Sequence, residues 1–199
     1  MRVMLVIGIT GNFGTGKTTV SQMLAELGAV LINADELGHE LYQPNSPAYR
    51  EVVAAFGKSI LKPDGEIDRH KLGQLVFDDA TALTRLNQIT HPRIYKIVQQ
   101  KIEEYRQHGV KVVALEAALL IEAGWTPLVN QVWVTTAPEA TIIKRLKSSR
   151  GLTEEQIQTR LRSQMPQEEK AKQADVVINT DCPMDELKAK VAELWHSLP

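Results

Sequence analysis

Cysteine is nearly absent from this sequence. Its 199 residues include only Cys182, so no disulfide can form within the chain and a reducing compartment is expected. No thiol-activating neighbour accompanies it, and it reads as an ordinary small residue. An excess of either charge is also missing: 23 Lys and Arg against 24 Asp and Glu leave a net charge of −1. That balance gives no support to a free-standing nucleic-acid binder. No apolar run reaches the roughly 20 residues needed to span a bilayer. The apolar start of the chain leads into a glycine-rich loop rather than a small-residue cleavage site, so it reads as a strand. A cytoplasmic location is expected, with neither nucleic acid nor membrane as partner. Internal repeats and low-complexity tracts are lacking too. What remains, 43% hydrophobic and 24% charged, has the balance of a soluble α/β domain large enough to bury a real core.

Five short apolar or β-branched runs have the character of buried parallel strands: Val3–Ile9, Val30–Asn33, Lys111–Leu115, Gln131–Thr135 and Val176–Asn179. Helical stripes separate them. Val20, Met23, Leu24 and Leu27 share one face, with Gly28 as the C-terminal stop, and Ile94, Ile97, Val98, Ile102 and Tyr105 share another, ending near Gly109. Alternating strands and helices predict a three-layer α/β fold, a five-stranded parallel sheet with helices on both faces. The spacing is uneven. Between the second and third strands, Tyr49, Val52, Val53 and Phe56 form one amphipathic set and Leu72, Leu75 and Val76 another, on either side of a turn at Pro63-Asp64-Gly65. Residues 36–108 therefore read as an inserted helical subdomain, and the charged stretch 144–172 as a lid. The sheet core is left with about 1–35, 109–143 and 173–199. Inside the lid, Thr153-Glu154-Glu155-Gln156 fits a capping box.

The sharpest motif is Gly11-Asn12-Phe13-Gly14-Thr15-Gly16-Lys17-Thr18, a full G-x-x-x-x-G-K-[ST] match between an expected strand and an expected helix, with Thr19 next in line. Glycines let successive amides turn inward around phosphate oxygens, and the helix that follows directs its positive end at the same anion. Lys17 can reach the β- and γ-phosphates, and the Thr18 hydroxyl can ligate Mg²⁺. The guanine-reading N-K-x-D motif is absent, so a GTPase is disfavoured. A compact P-loop kinase fold acting on a small acceptor fits better, and a non-catalytic ATP-binding module is the alternative from another class.

Asp35, just beyond the second strand, stands where ligands bind in such sheets. It can be the general base for an acceptor hydroxyl, or simply an N-terminal helix cap. Glu116, at the end of the third strand, can hold Mg²⁺ through water or orient the acceptor, and either it or Glu122 can equally be a helix N-terminal acid. Among the lid cations Lys144, Arg145, Lys147, Arg150, Arg160, Arg162 and Lys170, most are expected to form a solvated face. Arg145 and Arg150 are the candidates for neutralising transferring phosphates.

These residues in this order resemble the dephospho-CoA kinase family over nearly the whole chain. The similarity runs through the phosphate loop, Asn33-Ala34-Asp35, Phe56-Gly57, Asp64-Gly65-Glu66-Ile67-Asp68-Arg69, Leu86-Asn87 with His91-Pro92, and Glu116 to Glu122. It closes on Arg160, Gln164, Lys170 and Ala174-Asp175. The resemblance implies ATP-dependent phosphorylation of the ribose 3′-hydroxyl of dephospho-CoA, with Mg²⁺, and makes Asp35 the base and Arg145 a lid arginine near the phosphates. It also implies that Arg69 and His91 lie near the CoA moiety. Where the family commonly has other residues, this chain has Asn33, Glu116, Ala118 and Phe13.

Overall fold

The computed structural model describes residues 4–199, and the side chains of all of these except His39, Phe77 and Asp78. Val3, where the first strand was expected to begin, lies outside the described residues. The five strands are β1 (Leu5–Thr10), β2 (Val30–Asn33), β3 (Val112–Glu116), β4 (Gln131–Thr136) and β5 (Val176–Asn179). All pairings between them are parallel, in the order β2-β3-β1-β4-β5. β2 and β5 keep the limits of the sequence reading, while the carboxyl ends of β1, β3 and β4 each run one residue further, because ladder pairing carries on where apolar character stops. β3 extends through Glu116, which is in register with both Ile9 and Asn33.

Contacts divide the chain into two compact units, the segment up to Asn33 together with Lys101–Pro199, and Ala34–Gln100. In the first, α1 (Lys17–Glu26) and α9 (Met184–His196) pack on one sheet face around Ile7, Ile9, Leu24, Trp133, Ile178 and Val191. Gly8 points to the opposite face, where a Cβ would come within 2.9 Å of Leu120 and 3.0 Å of Val129, so the closeness of that layer depends on the missing side chain. Helices cover both faces of the sheet. α1 ends at Leu27, where Gly28 takes φ 113° and the amides of Gly28 and Ala29 return to the carbonyls of Ala25 and Leu24. The chain leaves β1 toward β2 on one side and leaves β3 toward β4 on the other. The reversal puts a crevice at the carboxyl ends of β1 and β3.

The same unit holds α6 (Glu139–Arg150), α7 (Glu154–Arg162) and α8 (Gln167–Ala171). α7 opens with the expected capping box, Thr153 and Gln156 each bonding the other's backbone amide. Ile142, Leu146 and Ile157 form its small core, against which Phe13 packs.

The second unit contains α2 (Ala34–Glu40), α3 (Pro47–Phe56), α4 (Arg69–Asp78) and most of α5 (Ala80–Gln107). Ser46 caps α3 by accepting from Tyr49 N at 2.9 Å. Asp68 caps α4, and its bonds from the amides of Lys71 and His70 hold its carboxyl below the usual range. Pro63-Asp64-Gly65 turns the chain between Lys62 and Glu66, whose backbones bond at 2.8 Å. Val52, Ile60, Ile67, Leu72 and Val76 form this unit's own apolar core.

Candidate active site

Residues Gly11–Thr18 wrap the carboxyl end of β1. Their shape depends on glycine: Gly11, Gly14 and Gly16 have φ of 145°, 83° and 89°. A Cβ on Gly11 would overlap Thr135, and one on Gly14 would come within 2.8 Å of Leu146. Short side chains from neighbouring strands pin the loop. Thr15 Oγ1 donates to Asn12 O at 2.8 Å and sits 2.7 Å from Thr135 Oγ1. Thr180, just after β5, donates to Thr15 O at 2.8 Å. Helix α1 begins at Gly16 without a side-chain cap, which keeps its first amides for an anion.

Lys17 is buried, and its Nζ donates to the carbonyls of Gly11 (3.0 Å) and Asn12 (3.3 Å), bending the ammonium back over the loop it belongs to. Thr18 Oγ1 donates to Glu116 Oε1 at 2.6 Å, across 98 residues of chain. Glu116 is 3% exposed, and its Oε2 is buried with no hydrogen-bond partner among the described residues. An unsatisfied carboxylate oxygen beside a phosphate-loop threonine fits a divalent cation, which would answer the orphaned lone pairs. No group of three or more His, Cys, Asp or Glu capable of holding a metal occurs among the described residues. The donor set is thus one hydroxyl, one carboxylate and whatever oxygens a nucleotide brings, a pattern suited to Mg²⁺.

Arg145 donates to Thr180 Oγ1 at 3.0 Å and Thr180 O at 2.7 Å, and so is linked to the loop through the residue that holds Thr15. The guanidinium carbons of Arg150 and Arg160 lie 5.0 and 5.1 Å from the centre of the Phe13 ring. Burial, then the charge of Arg150, pulls the Arg160 pKa below its ordinary value. Lys170 departs from the expected solvated face: it is 0% exposed, because Glu122 and the Ala118 carbonyl replace its water. Thr135, Thr180 and Met165 were not singled out from sequence, and Gln164 only as part of the resemblance, with no role attached. The detectable signal was hydroxyl residues at the ends of β4 and β5, the strand edge where ligands bind.

In the helical unit, Asp35 is the second residue of α2. It lies in the first turn rather than before it, so it is an N-terminal acid and not the capping residue. Its charge raises the His91 pKa, while burial, the larger influence, lowers it. Arg69 opens α4 and lines a cleft of about 720 Å³ with Glu40, Tyr42, Lys62, Glu66 and His70. Burial pushes the Tyr42 hydroxyl up to about 12, and the Arg69 charge opposes it.

The family model described as dephospho-CoA kinase matches residues 5–186. A dephospho-CoA kinase of Dehalococcoides mccartyi is 47% identical over 188 residues, covering 94% of each chain. A solved structure from Thermus thermophilus superposes with a TM-score of 0.80 at 30% identity, covering 98% of this chain and 99% of that one. The dephospho-CoA kinase of Campylobacter jejuni superposes with a TM-score of 0.70 at 26% identity, covering 96% and 95%.

Proposed function

The chain belongs to the dephospho-CoA kinase family, and on that premise we propose which of its residues carry the reaction. The reaction is phosphoryl transfer from ATP to the ribose 3′-hydroxyl of dephospho-CoA, giving CoA and ADP, the last step of CoA biosynthesis. The P–O bond between the β- and γ-phosphates breaks, a P–O bond to the 3′-oxygen forms, and the hydroxyl proton must leave. Catalysis of such a step is mostly positioning and charge neutralisation.

The loop from Gly11 to Thr19 cradles the phosphates with its amides, except that of Phe13, which donates to Gln164 Oε1. Lys17, released from the Gly11 and Asn12 carbonyls, follows the negative charge. Thr18 and Glu116 would hold Mg²⁺, which would supply neutralisation of the phosphate charge. Arg145 and Arg150 approach the transferring group from the 144–172 segment, which acts as the lid. Asp35 accepts the proton; the chain reaches it two residues beyond Asn33, whose Cα is in register with Glu116. Residues 36–108 recognise the CoA moiety, with Arg69 and His91 on that side. A cytoplasmic location belongs to the same reading, and no helix among the described residues is long and apolar enough to cross a membrane.

The observation that carries this assignment is the buried, half-satisfied Glu116 carboxylate bonded to Thr18 at the phosphate loop. The test is ADP release from ATP and Mg²⁺ with dephospho-CoA, beside CoA and no-acceptor controls. Turnover with dephospho-CoA alone, and a product one phosphoryl heavier by mass spectrometry, is the expected outcome. A protein that binds ATP but is silent with dephospho-CoA would overturn the acceptor.

A further inference from the structure

Lys170 takes no part in the proposed chemistry, yet it is the one lid cation that is wholly buried. Removing an ammonium from water is costly unless partners replace its hydration, so its partners show what the burial accomplishes. Its Nζ lies 2.9 Å from Glu122 Oε1 and donates to Ala118 O at 2.9 Å. Glu122 Oε1 also accepts from Met165 N at 3.2 Å. The Met165 carbonyl accepts from Asn12 Nδ2 at 3.1 Å, inside the phosphate loop. The adjacent Gln164 Oε1 accepts from Phe13 N at 2.8 Å. On the other side, the Ala118 carbonyl that receives Lys170 also receives Thr10 Oγ1 at 3.2 Å.

These bonds form a closed circuit. It runs from Thr10 through Ala118, Lys170, Glu122 and Met165 to Asn12, and the backbone Thr10-Gly11-Asn12 completes it. One arc is the entry to the phosphate loop. Another is the turn that follows Glu116. The circuit therefore ties together the two chain segments whose side chains meet at Thr18 and Glu116.

We infer that Lys170, Glu122 and Gln164 are positioning residues that fix the phosphate loop and the Glu116 turn in their nucleotide-binding geometry before ATP arrives. A glycine-rich loop has many conformations, and each one excluded in advance lowers the ordering cost of binding. Gln164 sets the Phe13 amide, the Met165 backbone sets Asn12, and the Lys170–Glu122 pair anchors both to the Ala118 turn. None of the three needs to touch nucleotide or acceptor. The inference rests on the reading of Gly11–Thr18 as the ATP site and is independent of which acceptor is used.

Its test is calorimetric titration of the full chain with ATP–Mg²⁺ in the absence of acceptor, beside KM for each substrate and the thermal midpoint. Gln164→Leu changes a half-buried side chain outside the apolar clusters. It is expected to weaken ATP–Mg²⁺ binding about threefold to tenfold, by loss of one hydrogen bond to the loop, with the dephospho-CoA KM within about twofold of wild type. Lys170→Met is expected to weaken ATP binding about tenfold and to lower the thermal midpoint, because Glu122 is left without its cation. Lys170→Met with Glu122→Leu removes both charges. It is expected to recover much of the thermal midpoint while ATP binding stays weak, a split that a purely structural pair would not produce. Wild-type ATP affinity in Gln164→Leu would overturn the inference, as would recovery of ATP affinity together with stability in the double variant. If Lys170→Met does not fold, Gln164→Leu decides alone. Failure of the wild-type chain to bind ATP–Mg²⁺ would overturn the phosphate-loop reading itself, a separate result from silence with dephospho-CoA.

Discussion

Thr10, Asn12, Thr15, Lys17, Glu116, Thr135, Lys170 and Thr180 are all in the sheet unit and none is more than 9% exposed; among the described residues of Ala34–Gln100, the polar side chain so deeply buried is Thr90. The helical unit holds itself together with an apolar cluster, and leaves Lys62, Glu66, Arg69 and His70 around an open cleft. Buried polar groups are expensive unless each is partnered, so a fold concentrates them only where a fixed field is worth the cost. On the proposed reading, the sheet unit is a preformed cradle for phosphate charge, and the helical unit sets its charged side chains around a cleft that would take a polar acceptor. The lesson is a separation of tasks: nucleotide affinity should depend on the first set and acceptor affinity on the second, while the rate draws on both, through Lys17 in the sheet unit and Asp35 at the start of the helical one.

The strongest challenge to that separation is Lys17→Ala. Deleting the buried cation proposed to follow the phosphate charge is expected to cut kcat/KM by about 10³-fold and to weaken ATP binding, by analogy with the loss of one charge-stabilising donor. Steady-state kinetics and ATP titration check both, and survival of either would break the assignment of the cradle. Asp35→Asn comes next. The expected result is a fall in kcat of about 10²-fold, the ordinary worth of a general base, with ATP affinity nearly intact; wild-type turnover would remove Asp35 from the chemistry.

Arg69→Ala sharpens the acceptor half. Loss of one charge-assisted bond, about 1.5 kcal/mol, corresponds to roughly a tenfold rise in the KM for dephospho-CoA. The KM for ATP should not move, and a rise in ATP KM instead would blur the division.

The smallest effect concerns pH. Burial holds the His91 pKa below 6.5 in the folded chain, so the unfolded chain binds the proton more readily between the two values. The stability from neutral His91 is therefore full above pH 6.5 and declines as pH falls through the folded value. Denaturant midpoints across pH 5 to 8 should show that slope, and His91→Gln should flatten it. In Asp35→Asn the His91 titration, followed by NMR, should move lower still, since the opposing carboxylate is gone.

Much of this was legible before any coordinates. The phosphate loop was, because its chemistry is a backbone requirement that leaves glycine, lysine and threonine at set intervals. β2 and β5 were found at their observed limits, and the capping box at Thr153 closed as its spacing required. The roles of Glu116 and Lys170 were not legible in the same way. Glu116 had more than one reading, and the bond it accepts from Thr18 spans 98 residues. Lys170 stood in a run of cations whose ordinary place is water, and nothing local distinguishes the one whose partner is Glu122.

The sequence by itself determined the strand and helix pattern, the phosphate loop and the family, because each is written in short-range spacing or in the order of motifs along the chain. Tertiary structure alone decided which carboxylate meets Thr18, which lysine is taken inside, and how Gln164 and Met165 come to hold Phe13 and Asn12. Those choices depend on which strand ends the parallel sheet brings side by side, and a hydrogen bond is sensitive to tenths of an ångström between groups that the chain separates by scores of residues.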